Sequence, residues 1–153
     1  MENSEFVAEI QLKYLPTSKS RKCVGKIKSS IDAYNFIKTI YNPDTLALSE
    51  TFVLVFTNHA NDIIGYNIHS SGNIANTQVE IRLIMAIAIN CACSGVIISH
   101  NHPSGTMRPS NSDRQITNKI NQALELFNIR LLDHIIISPT RGDYYSFADN
   151  GII

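Results

Sequence analysis

The sequence predicts an α/β (α+β) domain in which one mixed β-sheet is flanked by helices. Three observations carry this. Short apolar runs of strand length interleave along the chain with longer segments whose apolar residues recur at helical spacing. The 153 residues suffice for one hydrophobic core and not for two. A content of 44% hydrophobic against 17% charged residues is the balance of a globular chain rather than a disordered one.

The elements follow in order. Residues 5–14 alternate apolar and polar (Phe6, Ala8, Ile10, Leu12, Tyr14), the pattern of an amphipathic strand. Leu15-Pro16-Thr17 ends it and a polar, basic connection follows, so residues 1–28 are expected to pack as a strand and connection on a single domain spanning residues 29–153. Ser30 is placed to cap a helix that turns Ala33, Phe36, Ile37 and Ile40 inward and stops before Asn42-Pro43. Thr51–Thr57 is continuously apolar between its threonines, a strand buried on both faces. After a turn at residues 58–61, Asp62–His69 returns as its hairpin partner. Ser71-Gly72-Asn73 breaks the chain, and Thr77–Cys93 is then apolar nearly all round, as in a helix covered on most sides. Ser94–Ser99 is a β-branched, buried strand, Ser110 to about Phe127 a helix, Ile129–Ser138 a strand, and Asp143–Ala148 the last strand, entered through the turn Thr140-Arg141-Gly142.

Charge and cysteine usage exclude several classes of function. A formal charge of zero provides no global field to draw nucleic acid. The one basic cluster, Lys19-Ser20-Arg21-Lys22 with Lys26 and Lys28, reads as a solvated arm, so direct nucleic-acid binding is not expected. The three cysteines (Cys23, Cys91, Cys93) form no C-x-x-C pair, and no secretory leader opens the chain, which fits a reducing, cytoplasmic compartment. The apolar stretch 83–98 is interrupted by Asn90, Ser94 and Gly95, so no membrane span is expected.

Chemistry concentrates in His100-Asn101-His102-Pro103-Ser104-Gly105, followed by Ser110 and Asp113, the spacing H-x-H-x7-S-x2-D. Residues two apart on a strand share a face, so His100 and His102 converge at the end of the strand while Asn101 turns away. Pro103 to Gly105 ends the strand, and Ser110 with Asp113 has the spacing of a capping box at a helix start. Two imidazoles and a carboxylate are the three protein ligands a catalytic zinc takes when its fourth position is left for water. Ser110 and Asp113 have a purely structural reading as a helix cap, and a hydroxyl in one rotamer serves only one of these roles.

This pattern resembles the JAMM motif of the MPN/JAB metalloprotease family. The string His100 to Gly105 with Pro109-Ser110, the later Leu132-Asp133-His134, and Tyr144-Tyr145-Ser146-Phe147-Ala148-Asp149 resemble more narrowly its RadC branch, over nearly the whole chain from about residue 30. The resemblance implies an MPN/JAB-like (cytidine-deaminase-like) architecture, one Zn²⁺ held by His100, His102 and Asp113, and Glu50 as the general acid/base. Glu50 stands directly before the apolar strand, at a cleft edge, where a base must take the proton of the attacking water. The resemblance also implies Ser110 as the donor to the developing oxyanion. Asp133 and His134 recur in the same branch and are candidates to stand behind the metal ligands, although strand alternation sends their side chains to opposite faces. Where RadC-like chains open the core helix with Asp-Pro-Arg, this one has Glu80-Ile81-Arg82, and residues 1–28 are too few for the branch's helix-hairpin-helix-like region.

Two functions follow as expectations. One is a zinc metallopeptidase cleaving an amide or isopeptide bond in a peptide or protein substrate. The other is a zinc-holding MPN scaffold, or an accessory protein of DNA repair, that cleaves nothing. A zinc nucleobase deaminase is excluded, because Cys91-Ala92-Cys93 supplies neither of its signatures. The residue 5–14 strand would offer an adhesive edge to a second copy if left uncovered, which keeps a homo-oligomer open.

Overall fold

A computed structural model of the chain describes residues 25–72, 79–140 and 142–153. Within them the elements run α1 (Ser30–Ile37), β1 (Glu50–Thr57), β2 (Ile63–Gly72), α2 (Ile81–Asn90), β3 (Gly95–Asn101), α3 (Asn111–Glu125), β4 (Arg130–Ile137) and β5 (Tyr144–Ser146). The strands form one mixed sheet in the order β2-β1-β3-β4-β5. Its pairs are antiparallel except β3 with β4, which α3 joins as the crossover a parallel pair needs. The expected strand at residues 5–14 and the basic connection through residue 24 lie outside the described residues.

Strand alternation sorts the core into two layers. Phe52, Leu54 and Phe56 of β1 with Val96 and Ile98 of β3 pack against Ile84, Met85 and Ala88 of α2 and Ile120 and Leu124 of α3. The intervening residues Val53, Val55 and Ile97, with Ile135 and Ile137 of β4, pack against Ala33, Tyr34, Phe36 and Ile37 of α1 on the other face. The central strands are thus covered on both sides, which is why they read as continuous apolar runs. Gly95 is demanded where β3 enters the sheet: a Cβ there would fall 2.6 Å from Thr57 Oγ1 and 2.8 Å from Leu132 Cδ1.

Element ends differ from the sequence reading where tertiary partners intervene. Ser29 rather than Ser30 is the N-cap of α1, and the Ser30 hydroxyl donates instead to the Asp149 carboxylate. α2 begins at Ile81, later than the expected Thr77, with Glu80 as its N-cap. The Glu80 side chain makes no capping bond; the Glu80 backbone N–H donates to His69 Nε2 at 3.1 Å, which ties β2 to the helix start. The helix stops at Asn90 because the following turn passes through Ala92 at φ 49°. No helix among the described residues is long and apolar enough to cross a membrane.

Candidate metal centre

The site grows from the ends of β3 and β1 and the first turn of α3. β3 runs to Asn101, so His100 is still held by the ladder, opposite Phe52, and His102 stands one residue past the strand's end. The backbone N–H of His102 still donates to Ile137 O at 3.0 Å. The chain then turns, with Gly105 N–H donating to His102 O at 2.9 Å and Gly105 at φ 77°, a value glycine adopts without strain. This turn returns the Thr106 carbonyl to within 2.6 Å of His102 Nδ1. A carbonyl only accepts, so His102 carries a proton on Nδ1, which leaves Nε2 as the nitrogen that can bind a metal once it has no proton.

Helix α3 starts behind this loop with the expected capping box. The Asp113 N–H donates to Ser110 Oγ at 3.1 Å, and the Ser110 N–H donates to Asp113 Oδ2 at 2.7 Å. The Ser110 hydroxyl also donates to Asp113 Oδ2, at 2.7 Å. Its oxygen therefore caps the helix while its proton is given to the carboxylate, so in this rotamer the hydroxyl does not face a substrate oxygen. The same box aims Asp113 at the imidazoles: Oδ1 lies 3.3 Å from His100 Nε2 and Oδ2 lies 3.5 Å from His102 Nε2. The two Nε2 atoms are 2.9 Å apart.

The donor set fits a metal ion. One candidate ligand atom from each of His100, His102 and Asp113 lies within 4.8 Å of the others. Ligands at about 2.0–2.1 Å around a tetrahedral zinc stand roughly 3.3 Å apart, close to the separations seen here. Side-chain exposure is 2% at His100 but 17% at His102 and 14% at Asp113, so the cluster is buried behind and open to solvent on one side.

The electrostatics of the metal-free cluster point the same way. Burial works to raise the Asp113 carboxyl pKa, but the imidazoles of His100 and His102, with the Ser110 hydroxyl, outweigh it and hold the acid well below the usual carboxylate range. His102 is raised, chiefly by its hydrogen bond to Asp113 and against its partial burial. Asp113 therefore stays ionised at the point where a cation would sit.

Glu50 opens β1, paired with Gly72 across the hairpin. The β1–β3 register pairs Phe52 with His100, so Glu50 lies two residues further along β1, toward the end of the sheet where His102 follows β3. Its carboxylate contributes to raising His102. Sequence reasoning missed what holds this glutamate in place. Asn101, sent to the other face as expected, donates from Nδ2 to Leu46 O at 2.8 Å and Ser49 O at 2.9 Å, and accepts the Thr51 N–H at 2.7 Å. Those partners bracket Glu50. Tyr41 supports the same segment by donating to Thr51 O at 3.2 Å.

The pair Asp133 and His134 divides as strand alternation dictates. His134 is fully buried beneath the cluster, its Nε2 2.7 Å from His100 Nδ1, and burial first, then the nearby His100, pushes its pKa well down. Asp133 does not reach the cluster, which corrects its placement behind the metal ligands. It faces the α1 side, where its carboxylate accepts from the His134 N–H at 2.7 Å, the Ala148 N–H at 3.0 Å and the Ser146 hydroxyl at 2.6 Å. Asp133 and His134, adjacent on β4, point to opposite faces, so both could not serve one site.

A layered mixed sheet carrying two histidines at a strand end and an aspartate on the next helix defines a JAB-type domain. A family profile for the RadC-like JAB domain matches residues 27–152, and the chain belongs to that family. It is 41% identical over 127 residues to a UPF0758 protein of Flavobacterium johnsoniae, covering 83% of this chain and 53% of the relative. A UPF0758 protein of Aquifex aeolicus is 30% identical over 152 residues, covering 97% of this chain and 63% of the relative. The UPF0758 protein YfjY of Escherichia coli is 36% identical over 104 residues, covering 68% and 64%. The chain spans about half to two thirds of the length of these curated relatives.

Proposed function

We propose that this domain is a zinc-dependent hydrolase that cleaves an amide or isopeptide bond in a peptide or protein substrate. The observation that carries it is the convergence of His100, His102 and Asp113 on one solvent-open point, with Glu50 near enough for its charge to act on His102. A bound zinc would act as a Lewis acid and bring the pKa of a water it holds to about 7. Glu50 takes the proton of the attacking water as the C–O bond forms, and passes it to the nitrogen as the C–N bond breaks. The Ser110 hydroxyl, 2.7 Å from Asp113 Oδ2, would by turning away donate to the carbonyl oxygen as that oxygen gains charge.

Zinc stoichiometry and turnover test this together. Purified protein is expected to hold one zinc per chain, and Asp113→Asn to lose or much weaken it. Glu50→Gln should keep the zinc and lower hydrolysis of a peptide or isopeptide substrate by about 10²–10⁴-fold. Unchanged turnover in Glu50→Gln would remove Glu50 from the reaction, and protein that refuses zinc would remove the metal. A second reading, a zinc-holding module without turnover, is favoured by one feature: the Ser110 proton is donated to the Asp113 carboxylate. Substrate cleavage that survives with zinc and fails in Glu50→Gln decides against it.

A further inference from the structure

A line of buried polar groups runs from His100 through β4 into α3. His100 Nδ1 lies 2.7 Å from His134 Nε2, His134 Nδ1 lies 2.6 Å from Thr117 Oγ1, and Thr117 Oγ1 lies 2.5 Å from the backbone carbonyl oxygen of Asp113. The far end gives the line its direction. A carbonyl can only accept, so the Thr117 hydroxyl spends its proton on Asp113 O, a bond back to the preceding helical turn. Its oxygen then offers only lone pairs to His134, which must carry a proton on Nδ1.

His134 is 0% exposed, with the Phe147 ring stacked at 4.5 Å and the Phe52 ring edge-on at 6.2 Å. An imidazole so enclosed, beside two others, carries one proton rather than two. Its Nε2 is therefore an acceptor, and His100 donates to it from Nδ1. The Nε2 of His100 is left with its lone pair, aimed at His102 and Asp113.

We infer that Thr117, acting through His134, fixes the tautomer of His100 and so holds its Nε2 as a metal-ligating nitrogen. Thr117 and His134 are positioning residues. The relay is closed on itself, because the Asp113 backbone anchors one end and the Asp113 carboxylate joins the ligand set at the other. Thr117 is 3% exposed on a core-facing helix position, where valine would fill the same volume; the hydroxyl is what the position adds. The assignment rests on the metal reading of the cluster only in its consequence for zinc. The proton positions stand without it.

The test uses proton–nitrogen long-range NMR correlations of the imidazoles in the full chain, metal-free and zinc-loaded, with zinc titrations against a competing chelator. In the wild type His134 is expected as the Nδ1–H tautomer in both states. Thr117→Val should release that tautomer and weaken zinc binding by about 10–100-fold, the usual cost of losing an outer hydrogen-bond partner. Thr117→Ser, which keeps the hydroxyl, should restore both. An Nε2–H tautomer of His134 in the wild type overturns the relay, as does Thr117→Val binding zinc as tightly as wild type. Wild-type protein that takes no zinc would overturn the metal reading instead, and the His134 tautomer would still decide the relay.

Discussion

Replacing Asn101 by alanine removes three hydrogen bonds with one side chain and leaves their partners on the segment that carries Glu50. Asn101 is 1% exposed, and its amide satisfies Leu46 O, Ser49 O and the Thr51 N–H at 2.7–2.9 Å. At about 1 kcal/mol net per neutral bond the loss is about 3 kcal/mol; water can reach the half-buried loop, which keeps the penalty for each stranded group at the low end. With a urea slope of about 1.5 kcal/mol/M, the unfolding midpoint should fall by about 2 M. Asn101→Asp should fare no better, because it turns two donors into acceptors facing carbonyls. Zinc affinity of the folded variant should stay within about twofold, since His100 and His102 lie on the opposite face of β3, while turnover falls as Glu50 loosens. Urea unfolding of the zinc-free proteins measures the first quantity and chelator competition the second. A midpoint shift under about 0.5 M would refute the claim that Asn101 clamps this segment.

Asp133→Ala should cost about 3 kcal/mol for three stranded donors yet leave zinc affinity unchanged, whereas Asp133→Asn, whose amide can donate to Ser146, should be nearly neutral. Weakened zinc in a folded Asp133→Ala protein would return this residue to the metal site. The metal-free protein should also show a stability maximum near pH 6.5. The raised His102 contributes stability that is complete below its unfolded value and lost as pH rises through its folded one. The lowered His134 and His69, both depressed mainly by burial, lose stability as pH falls below about 6.5, where their unfolded forms take up protons. Thermal unfolding between pH 5.5 and 9 measures the profile, and Asp113→Asn should flatten its alkaline limb by removing the partner of His102. An alkaline limb that Asp113→Asn leaves unchanged would contradict the His102–Asp113 pairing.

The sequence by itself determined what depends on short-range geometry. The period of two put His100 and His102 on one face of β3 and Asn101 on the other, and the three-residue spacing of a helix cap put Asp113 beside Ser110. The layered mixed sheet was legible because buried strands and amphipathic helices carry their periods in a few consecutive residues. Tertiary structure decided everything that depends on which segments meet. It placed β4 parallel to β3, so that His134 lies under His100 and Asp133 on the far side. It brought Thr117, an unremarkable helical threonine in sequence, against His134, and set Asn101 around the loop that holds Glu50. It started α2 at Ile81, where His69 meets the Glu80 N–H, rather than where the apolar run begins. These contacts join residues 11 to 55 positions apart, and no local period encodes them. They exist only once burial has fixed the register of the sheet and left each buried polar group to find its partner across it.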